Sequence, residues 1–262
     1  MCRPASFVLT ETEALWSEKS DSHEEIIEEH NLPDAGLPPE ILRVEIVPPA
    51  GNWLAALSEW EYHIDQDVTP AWHDSAVDEK RTRRALISWA EKKLITEGKH
   101  EIKDDRLVYA TGSSSVVAWG SSRVEAWGSS RVVARESSRV VARESSRVEA
   151  WGSSSVVARE SSSVEARDSS SVEAWDSSSV EAWGSSRVVA RDSSRVVARN
   201  SSSVVAWDSS SVVARDSSSV VAWGSSSVEA RGLDAGIKLH GNSAACIRRS
   251  SVGAEAVCSV GE

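Results

Sequence analysis

The stretch "SSRVEAWGSSRVVARE", residues 121–136, contains two copies of an eight-residue repeat. The same octad, S-S-[SR]-V-[VE]-A-[WR]-[GDEN], continues through fifteen unbroken copies over residues 113–232. If its positions are numbered 1 to 8, positions 2, 4 and 6 are always Ser, Val and Ala. Positions 3, 5 and 7 exchange Ser for Arg, Val for Glu, and Trp for Arg. Because successive residues of a strand point to opposite faces, this alternation predicts one β-strand per octad, with the invariant residues facing inward.

One such strand cannot bury its inner face alone, so the octads are expected to stack into a β-solenoid. Two octads per coil would place two sheets face to face, roughly 10 Å apart or less, a space that Ser, Val and Ala can fill. Three octads per coil would enclose a wider interior with voids, which destabilise a protein core. We therefore predict a mainly β fold, a two-sided β-solenoid of fifteen octapeptide repeats with about 16 residues per coil.

The turn between strands falls at positions 8, 1 and 2, where most octads carry Gly, Asp or Asn. These residues adopt turn and left-handed conformations more readily than others do. Glu136, Glu144 and Glu160 suit position 8 less well, which indicates a tolerant turn. Ser-rich repeats are often disordered, but an invariant β-branched Val and the absence of Pro from the octads favour a folded solenoid.

The predicted solenoid lies between two other segments. Residues 1–112 carry 12 Lys and Arg against 23 Asp and Glu, so the whole net charge of −11 lies there, whereas residues 113–232 balance at 14 against 14. We expect residues 1–112 to form a small acidic α+β domain that caps the solenoid, and residues 233–262 to lose the register and form a second cap or a disordered tail. The elements expected in the first segment are a helix with a Ser22–Glu25 capping box, strands at 41–49, 60–68 and 105–112, and a helix at 75–95.

Position 7 of alternate octads should align in two outer columns, in which a guanidinium group can stack on an indole ring one coil away. One interpretation is that these columns only stabilise the solenoid. The other is that they form a binding or self-assembly surface, because Trp and Arg are enriched in interface hot spots. The binding residues expected on this second interpretation are Trp119, Trp127, Arg135, Arg143, Trp151, Trp175, Trp183, Arg191, Trp207 and Trp223.

Other features of the first segment could carry chemistry. A dense cluster, which could bind a metal or act as acid and base, consists of His63, Asp65, Asp67, His73 and Asp74. His23 and His30 are seven residues apart on one helix, which permits a metal site with Glu, although a solvated acidic helix is the simpler interpretation. Cys2 could become an N-terminal nucleophile, and Cys246 could form a disulfide with Cys258. No catalytic residue, metal or cofactor is expected.

The segments "MCRPASFVLT", "SDSHEEIIEEH", "LRVEIVPP" and "DQDVTPAWHD", followed by S-S-x-V-x-A-W octads, resemble a group of bacterial and phage proteins that have no assigned activity. The resemblance covers residues 1–232 and implies a mobile or phage DNA context. It implies no mechanism and no functional residue.

The leading hypothesis is a non-enzymatic scaffold that binds a protein partner or self-assembles through its outer Trp, Arg and Glu columns. A phage-encoded modulator acting through the acidic segment is the alternative, and a hydrolase-like activity in that segment is the second alternative. Nucleic acid is not an expected partner, because the repeats are neutral and the first segment is acidic. Ice binding is disfavoured because the invariant Ser faces inward. With no apolar run near the ~18 residues of a membrane span and no signal peptide, we expect no membrane partner and a cytoplasmic location in a bacterial or phage-infected cell.

Overall fold

The computed structural model describes residues 4–33, 36, 39–231, 235–248 and 256–260, so Cys2 lies outside the described residues. The chain divides into two compact units. The first contains residues 1–96 and 106–108, and the second contains residues 97–105 and 109–262. No helix in the described part of the chain is long and apolar enough to cross a membrane.

The first unit combines a small antiparallel sheet with two α-helices, which confirms its predicted α+β character. Its sheet has the strand order β2-β1-β3-β4. The elements are β1 Ser6–Leu9, β2 Ala14–Leu15, α1 His23–Glu29, β3 Leu42–Val47, β4 Glu61–Ile64, α2 Ser75–Lys93 and β5 Leu94–Ile95, with 3-10 turns at Pro49–Gly51 and Leu57–Glu59.

The two helices begin differently. At α1 the predicted capping box is wrong, because the Ser22 hydroxyl donates to Glu24 Oε2 at 2.8 Å and caps no backbone amide. At α2 the Asp74 carboxylate accepts from the amides of Ala76 and Val77, both at 3.0 Å, as an N-cap residue does. The short α1 therefore depends on packing of Ile26 and Ile27, which are buried, more than on its cap.

The buried face of α2 contains a charged residue near its end. The Lys93 side chain is 1% exposed, and its Nζ donates to Ser20 O at 2.7 Å and to Asp21 Oδ1 at 3.1 Å. Trp89 Nε1 donates to the same Asp21 oxygen at 3.0 Å. Burial lowers the pKa of the Lys93 ammonium, while the charge of Asp21 acts in the opposite direction. This network fixes the end of α2 against the segment that precedes α1.

In the second unit each octad forms one strand, which confirms the period-two prediction. The fifteen strands are β8 Ser115–Ala118, β9 Arg123–Ala126, β10 Arg131–Ala134, β11 Arg139–Ala142, β12 Arg147–Ala150, β13 Ser155–Ala158, β14 Ser163–Ala166, β15 Ser171–Ala174, β16 Ser179–Ala182, β17 Arg187–Ala190, β18 Arg195–Ala198, β19 Ser203–Ala206, β20 Ser211–Arg215, β21 Ser219–Ala222 and β22 Ser227–Arg231. The flanking strands are β6 Lys99–Ile102 and β7 Leu107–Ala110 before them, and β23 Gly236–Leu239, β24 Ala244–Arg248 and β25 Ala256–Val260 after them.

The strands alternate between two parallel sheets, so the two-sided solenoid is confirmed. Even-numbered strands from β6 to β24 form one sheet, and odd-numbered strands from β7 to β23 form the other. Within a sheet, each residue pairs with the residue 16 positions along, as Val132 does with Val148. The coil is therefore two octads long.

The interior consists of the invariant residues. Val at position 4 is at most 2% exposed in every octad, and Ala at position 6 and Ser at position 2 are at most 1% exposed. In seven octads the buried hydroxyl donates to the carbonyl of position 7 in the preceding turn, as Ser138 does to Arg135 O at 2.8 Å. In the other eight octads, Ser130 and Ser154 among them, the described structure gives the hydroxyl no hydrogen-bond partner. The small size of the inner side chains allows the two sheets to pack closely.

Position 8 has a function that the sequence interpretation missed. Its residues adopt positive φ whether they are Gly or acidic, with Glu144 at 57° and Asp176 at 58°. Each acidic side chain also reaches one coil back: Glu144 Oε2 accepts from the Gly128 amide at 2.6 Å, and Glu160 Oε2 accepts from the Glu144 amide at 2.9 Å. The glutamates at this position are therefore not merely tolerated, because they satisfy turn amides that the strand ladder leaves without a partner.

The solenoid extends beyond the octads at both ends. Before them, β6 pairs in parallel with β8 at the same 16-residue spacing, as Lys99 and Ser115 show. After them, β23 pairs with β21 at a spacing of 17, from Ser219 to Gly236, so the tail gains one residue and then resumes the coil. The strand β25 is antiparallel to β24, which ends the parallel stacking. Cys246 lies opposite Cys258 in this pairing, and the side chain of Cys258 lies outside the described residues, so the disulfide between them stays a prediction.

Removing a position-8 carboxylate should weaken the turn beside it. We expect Glu144→Ala to reduce the free energy of unfolding by about 1 kcal/mol, the typical net value of one hydrogen bond, and to speed hydrogen exchange of the Gly128 amide. Glu144→Gln should change both less, because its amide oxygen still accepts. Urea denaturation and NMR-detected exchange measure the two effects. The exposed Glu149→Ala serves as the control, and an unchanged Gly128 exchange rate in Glu144→Ala would contradict the assignment.

Breaking the buried Lys93 pair should be costly, because an uncompensated charge would remain in the core. We expect Asp21→Asn to reduce the free energy of unfolding by about 3–5 kcal/mol, measured by chemical denaturation with tryptophan fluorescence. The double variant Asp21→Asn/Lys93→Met should recover part of the loss. Glu79→Gln, which breaks the half-exposed pair with Arg83, should cost about 0.5 kcal/mol or less. Equal losses for the two single variants would refute the role of the buried pair.

Candidate functional site: the outer tryptophan and arginine columns

Position 7 leaves each strand at its end and points outward, and the 16-residue coil aligns it in two columns. The first column follows the even-numbered strands and consists of Trp119, Arg135, Trp151, Arg167, Trp183, Arg199, Arg215 and Arg231. The second follows the odd-numbered strands and consists of Trp127, Arg143, Arg159, Trp175, Arg191, Trp207 and Trp223, with His240 of the tail next in line.

Arginine and tryptophan side chains stack on each other along both columns. In the first column, the Arg135 guanidinium carbon lies 4.8 Å from the centre of the Trp119 ring, and that of Arg167 lies 4.6 Å from the Trp151 ring. Arg135 also lies 5.9 Å from the Trp151 ring on its other side. An arginine thus packs most closely on the tryptophan of the preceding coil. Each exposed contact of this kind contributes roughly 0.5–1 kcal/mol.

The second column has the same contacts in its N-terminal part. Arg143 lies 4.7 Å from the Trp127 ring and Arg191 lies 4.7 Å from the Trp175 ring. A guanidinium group of the same chain therefore covers at least one face of each of these two indole rings. Aromatic platforms bind single-stranded nucleic acid by stacking on its bases, and a covered face is not available for such stacking.

The C-terminal end of the second column differs from the rest. The rings of Trp207 and Trp223 stack on each other with centres 5.3 Å apart and planes 10° apart. The His240 ring continues the stack, 4.0 Å from Trp223 at 14°. Trp207 and Trp223 are 37% and 36% exposed, whereas the other five tryptophans of the octads are only partly exposed. In this part of the column three aromatic rings follow one another, whereas elsewhere tryptophans lie next to arginines.

The polar cluster expected at residues 63–74 is not assembled into one site. The His63 ring lies 3.6 Å from Glu61, whereas Asp65 contacts His23 at 3.3 Å. His73 pairs instead with Asp78 at 2.6 Å. The two other members, Asp67 and Asp74, are respectively exposed and used as the cap of α2. Residues in and after β4 and residues at the start of α2 have different neighbours in the fold. Their closeness in the sequence could not reveal this.

Three residues at the start of α2 have the connectivity of a Ser-His-Asp relay. Ser75 Oγ lies 3.2 Å from His73 Nε2, and His73 Nδ1 lies 2.6 Å from Asp78 Oδ2. However, the same Asp78 carboxylate accepts from the Asp74 amide at 3.1 Å and pairs with Arg81 at 2.8 Å, so it also closes the helix cap. Acyl transfer further requires amides that stabilise an oxyanion.

The amides nearest Ser75 that could do this are already bound. Those of Ala76 and Val77 donate to the Asp74 carboxylate, whose negative charge would oppose an oxyanion there. Burial, together with the charges of Asp78 and Glu79, raises the pKa of nearby Tyr62 to about 12, so its hydroxyl stays neutral near pH 7. We interpret this group as a reinforced helix cap.

His23, the first residue of α1, and His30, the residue that follows α1, contact different groups. His30 Nε2 lies 3.2 Å from Trp16 O, while His23 Nε2 lies 3.1 Å from Val44 O. The structure instead brings His23 together with Asp65 and with Glu45 of β3. Glu45 was not singled out in the sequence, because an isolated acid in an apolar strand gives no spacing signal.

No protein-family model matches this chain, and neither a curated protein nor a solved structure matches it significantly.

Proposed function

We propose that this protein is a non-enzymatic scaffold that self-associates through one uncharged patch on its solenoid. The patch, called here the aromatic patch, consists of Val205, Trp207, Val221, Trp223 and His240. The observation that carries the proposal is the exposed three-ring stack at the end of the second column. Exposed clusters of large apolar side chains on an otherwise polar surface are typical of protein interfaces.

The composition of the outer face supports this choice of patch. In both β19 and β21 the outward positions 3, 5 and 7 are Ser, Val and Trp. These two strands are neighbours in one sheet, with Val205 paired to Val221. Elsewhere in the octads, at least one of every two neighbouring strands carries an outward Arg or Glu at these positions. The patch is therefore the one place in the repeats where two adjacent outer strands can be desolvated without removing a charge from water.

The remaining tryptophans are better explained as structural. Their ring faces contact guanidinium groups one coil away, so burying them in an interface would also require desolvation of the arginines. Trp207 and Trp223 contact no guanidinium group in the described structure and present uncharged rings. The ten column residues expected from the sequence to bind a partner thus divide into eight that stabilise the solenoid and two, Trp207 and Trp223, that are candidate interface anchors.

A second copy of this chain is the occupant that the charges favour. The octads carry 14 arginines and 14 acids, so two solenoids can approach without net repulsion even though the whole chain has a net charge of −11. The border of the patch carries both signs, with Arg191 and Lys238 along the sheet and Asp192 and Asp208 at the turns. A two-fold contact needs only one such self-complementary surface.

The test is the solution mass of the intact protein by light scattering after size exclusion, at tens of micromolar. We expect a dimer, and a monomer for Trp207→Arg/Trp223→Arg. Arginine is already the alternative residue at position 7, so this variant should keep the fold, which circular dichroism checks. Loss of a central interface tryptophan typically costs about 2 kcal/mol or more, roughly a thirty-fold weaker association per residue.

The matched control is Trp119→Arg/Trp151→Arg, which makes the same change in the first column. It should leave the dimer intact, because those rings are already covered by Arg135 and Arg167. A monomeric parent protein would refute self-association. Equal dissociation of both double variants would refute the choice of the aromatic patch.

A further inference from the structure

Three side chains that could bind a metal ion converge in the first unit. His23 is the first residue of α1, Glu45 lies in the central strand β3, and Asp65 immediately follows β4. One ligand atom from each lies within 4.8 Å of the other two. The residues are 20 or more positions apart in sequence, so the fold, rather than local chain geometry, brings them together.

The hydrogen bond of His23 determines which ring nitrogen faces the cluster. Nε2 lies 3.1 Å from the carbonyl oxygen of Val44, which can only accept, so Nε2 carries a proton. The other nitrogen, Nδ1, faces Asp65 Oδ2 at 3.3 Å. A histidine that donates one N–H to a backbone carbonyl while its second nitrogen faces a carboxylate has the orientation found in metal sites.

Nδ1 of a neutral imidazole and a carboxylate oxygen are both acceptors, so a proton or a metal ion lies between them at the observed 3.3 Å. Glu45 is 6% exposed and His23 is 1% exposed, so two of the three groups are almost completely buried. A divalent ion would balance the charges of the two carboxylates, while the neutral imidazole adds none.

The distance between His23 and Asp65 suits a tetrahedral ion. With metal–ligand bonds of about 2.0–2.1 Å, two ligands of a tetrahedron are roughly 3.3 Å apart. The separation between His23 Nδ1 and Asp65 Oδ2 is 3.3 Å. The Asp65 side chain is 52% exposed, so water can reach the cluster from that side and provide a fourth ligand.

We infer that His23, Glu45 and Asp65 form a binding site for a divalent transition-metal ion, with Zn²⁺ as the best-matched probe. One imidazole and two carboxylates combine the ligand types that Zn²⁺ accepts. The site links α1 to two strands of the sheet, so bound metal should stabilise the first unit. The inference is independent of the self-association proposed above, because none of its residues lies in the solenoid.

The experiment titrates Zn²⁺ into the metal-free full-length protein by calorimetry at pH 7.5 and measures the melting temperature with and without the ion. We expect saturable binding of one ion per chain and a higher melting temperature. Asp65→Asn should weaken binding at least about tenfold, the low end for loss of groups at metal sites. Asp65 is the residue to change because it is half exposed, so its replacement leaves the core intact.

The matched control is Asp67→Asn, which removes an exposed carboxylate two residues away and should leave the affinity for Zn²⁺ unchanged. No saturable binding, or equal affinity in the parent and Asp65→Asn, would overturn the site. Equal weakening in both variants would also overturn it, because the ion would then respond only to surface charge.

Discussion

Stacking of identical small side chains at a 16-residue spacing is the constraint on which the rest of the solenoid depends. Ser, Val and Ala occupy the inner positions of every octad, and each is almost completely buried. Because each inner residue packs on an identical residue one coil away, any larger or charged residue would disturb two neighbours at once. Dense packing therefore fixes positions 2, 4 and 6 and leaves the outer positions free to vary.

The outer positions use that freedom in two ways. Most of them stabilise the stack through contacts between consecutive coils: arginine on tryptophan at position 7, and carboxylate on amide at position 8. A small region around Trp207 and Trp223 departs from the arginine–tryptophan pattern and carries only uncharged outward side chains at positions 3, 5 and 7. Different parts of the columns thus have different roles. Most of their length stabilises the coil, and the region around Trp207 and Trp223 is available for association.

The sequence was sufficient to predict the two-sided coil, because period-two alternation and small inner residues leave few other arrangements. It was also sufficient for the columns, since position 7 must align once the coil is two octads long. It did not reveal the acidic turn ladder, because a bond from Glu144 to Gly128 depends on side-chain reach between coils. The sequence also did not reveal that the tail continues the coil, because one additional residue shifts the tail out of the octad register.

The first unit was less accessible to such reasoning. Dense clustering of acids and histidines at residues 63–74 suggested one site, but tertiary structure separates its members and recruits Asp65 to His23 instead. The partner Glu45 comes from a strand that looked purely structural. Antiparallel pairing between β3 and β4 creates this proximity, and no local pattern encodes it.

The coil length is the central claim, and cysteine cross-linking tests it most directly. In a protein with its native cysteines replaced by serine, Val141→Cys/Val157→Cys places two outward cysteines on neighbouring strands of one sheet. Strands about 4.8 Å apart allow a disulfide, which needs Cα atoms about 4.4–6.8 Å apart. We expect rapid intramolecular oxidation of this pair and none for Val133→Cys/Val157→Cys, whose residues lie in opposite sheets. Cross-linking of the second pair but not the first would mean a three-octad coil and would contradict the account.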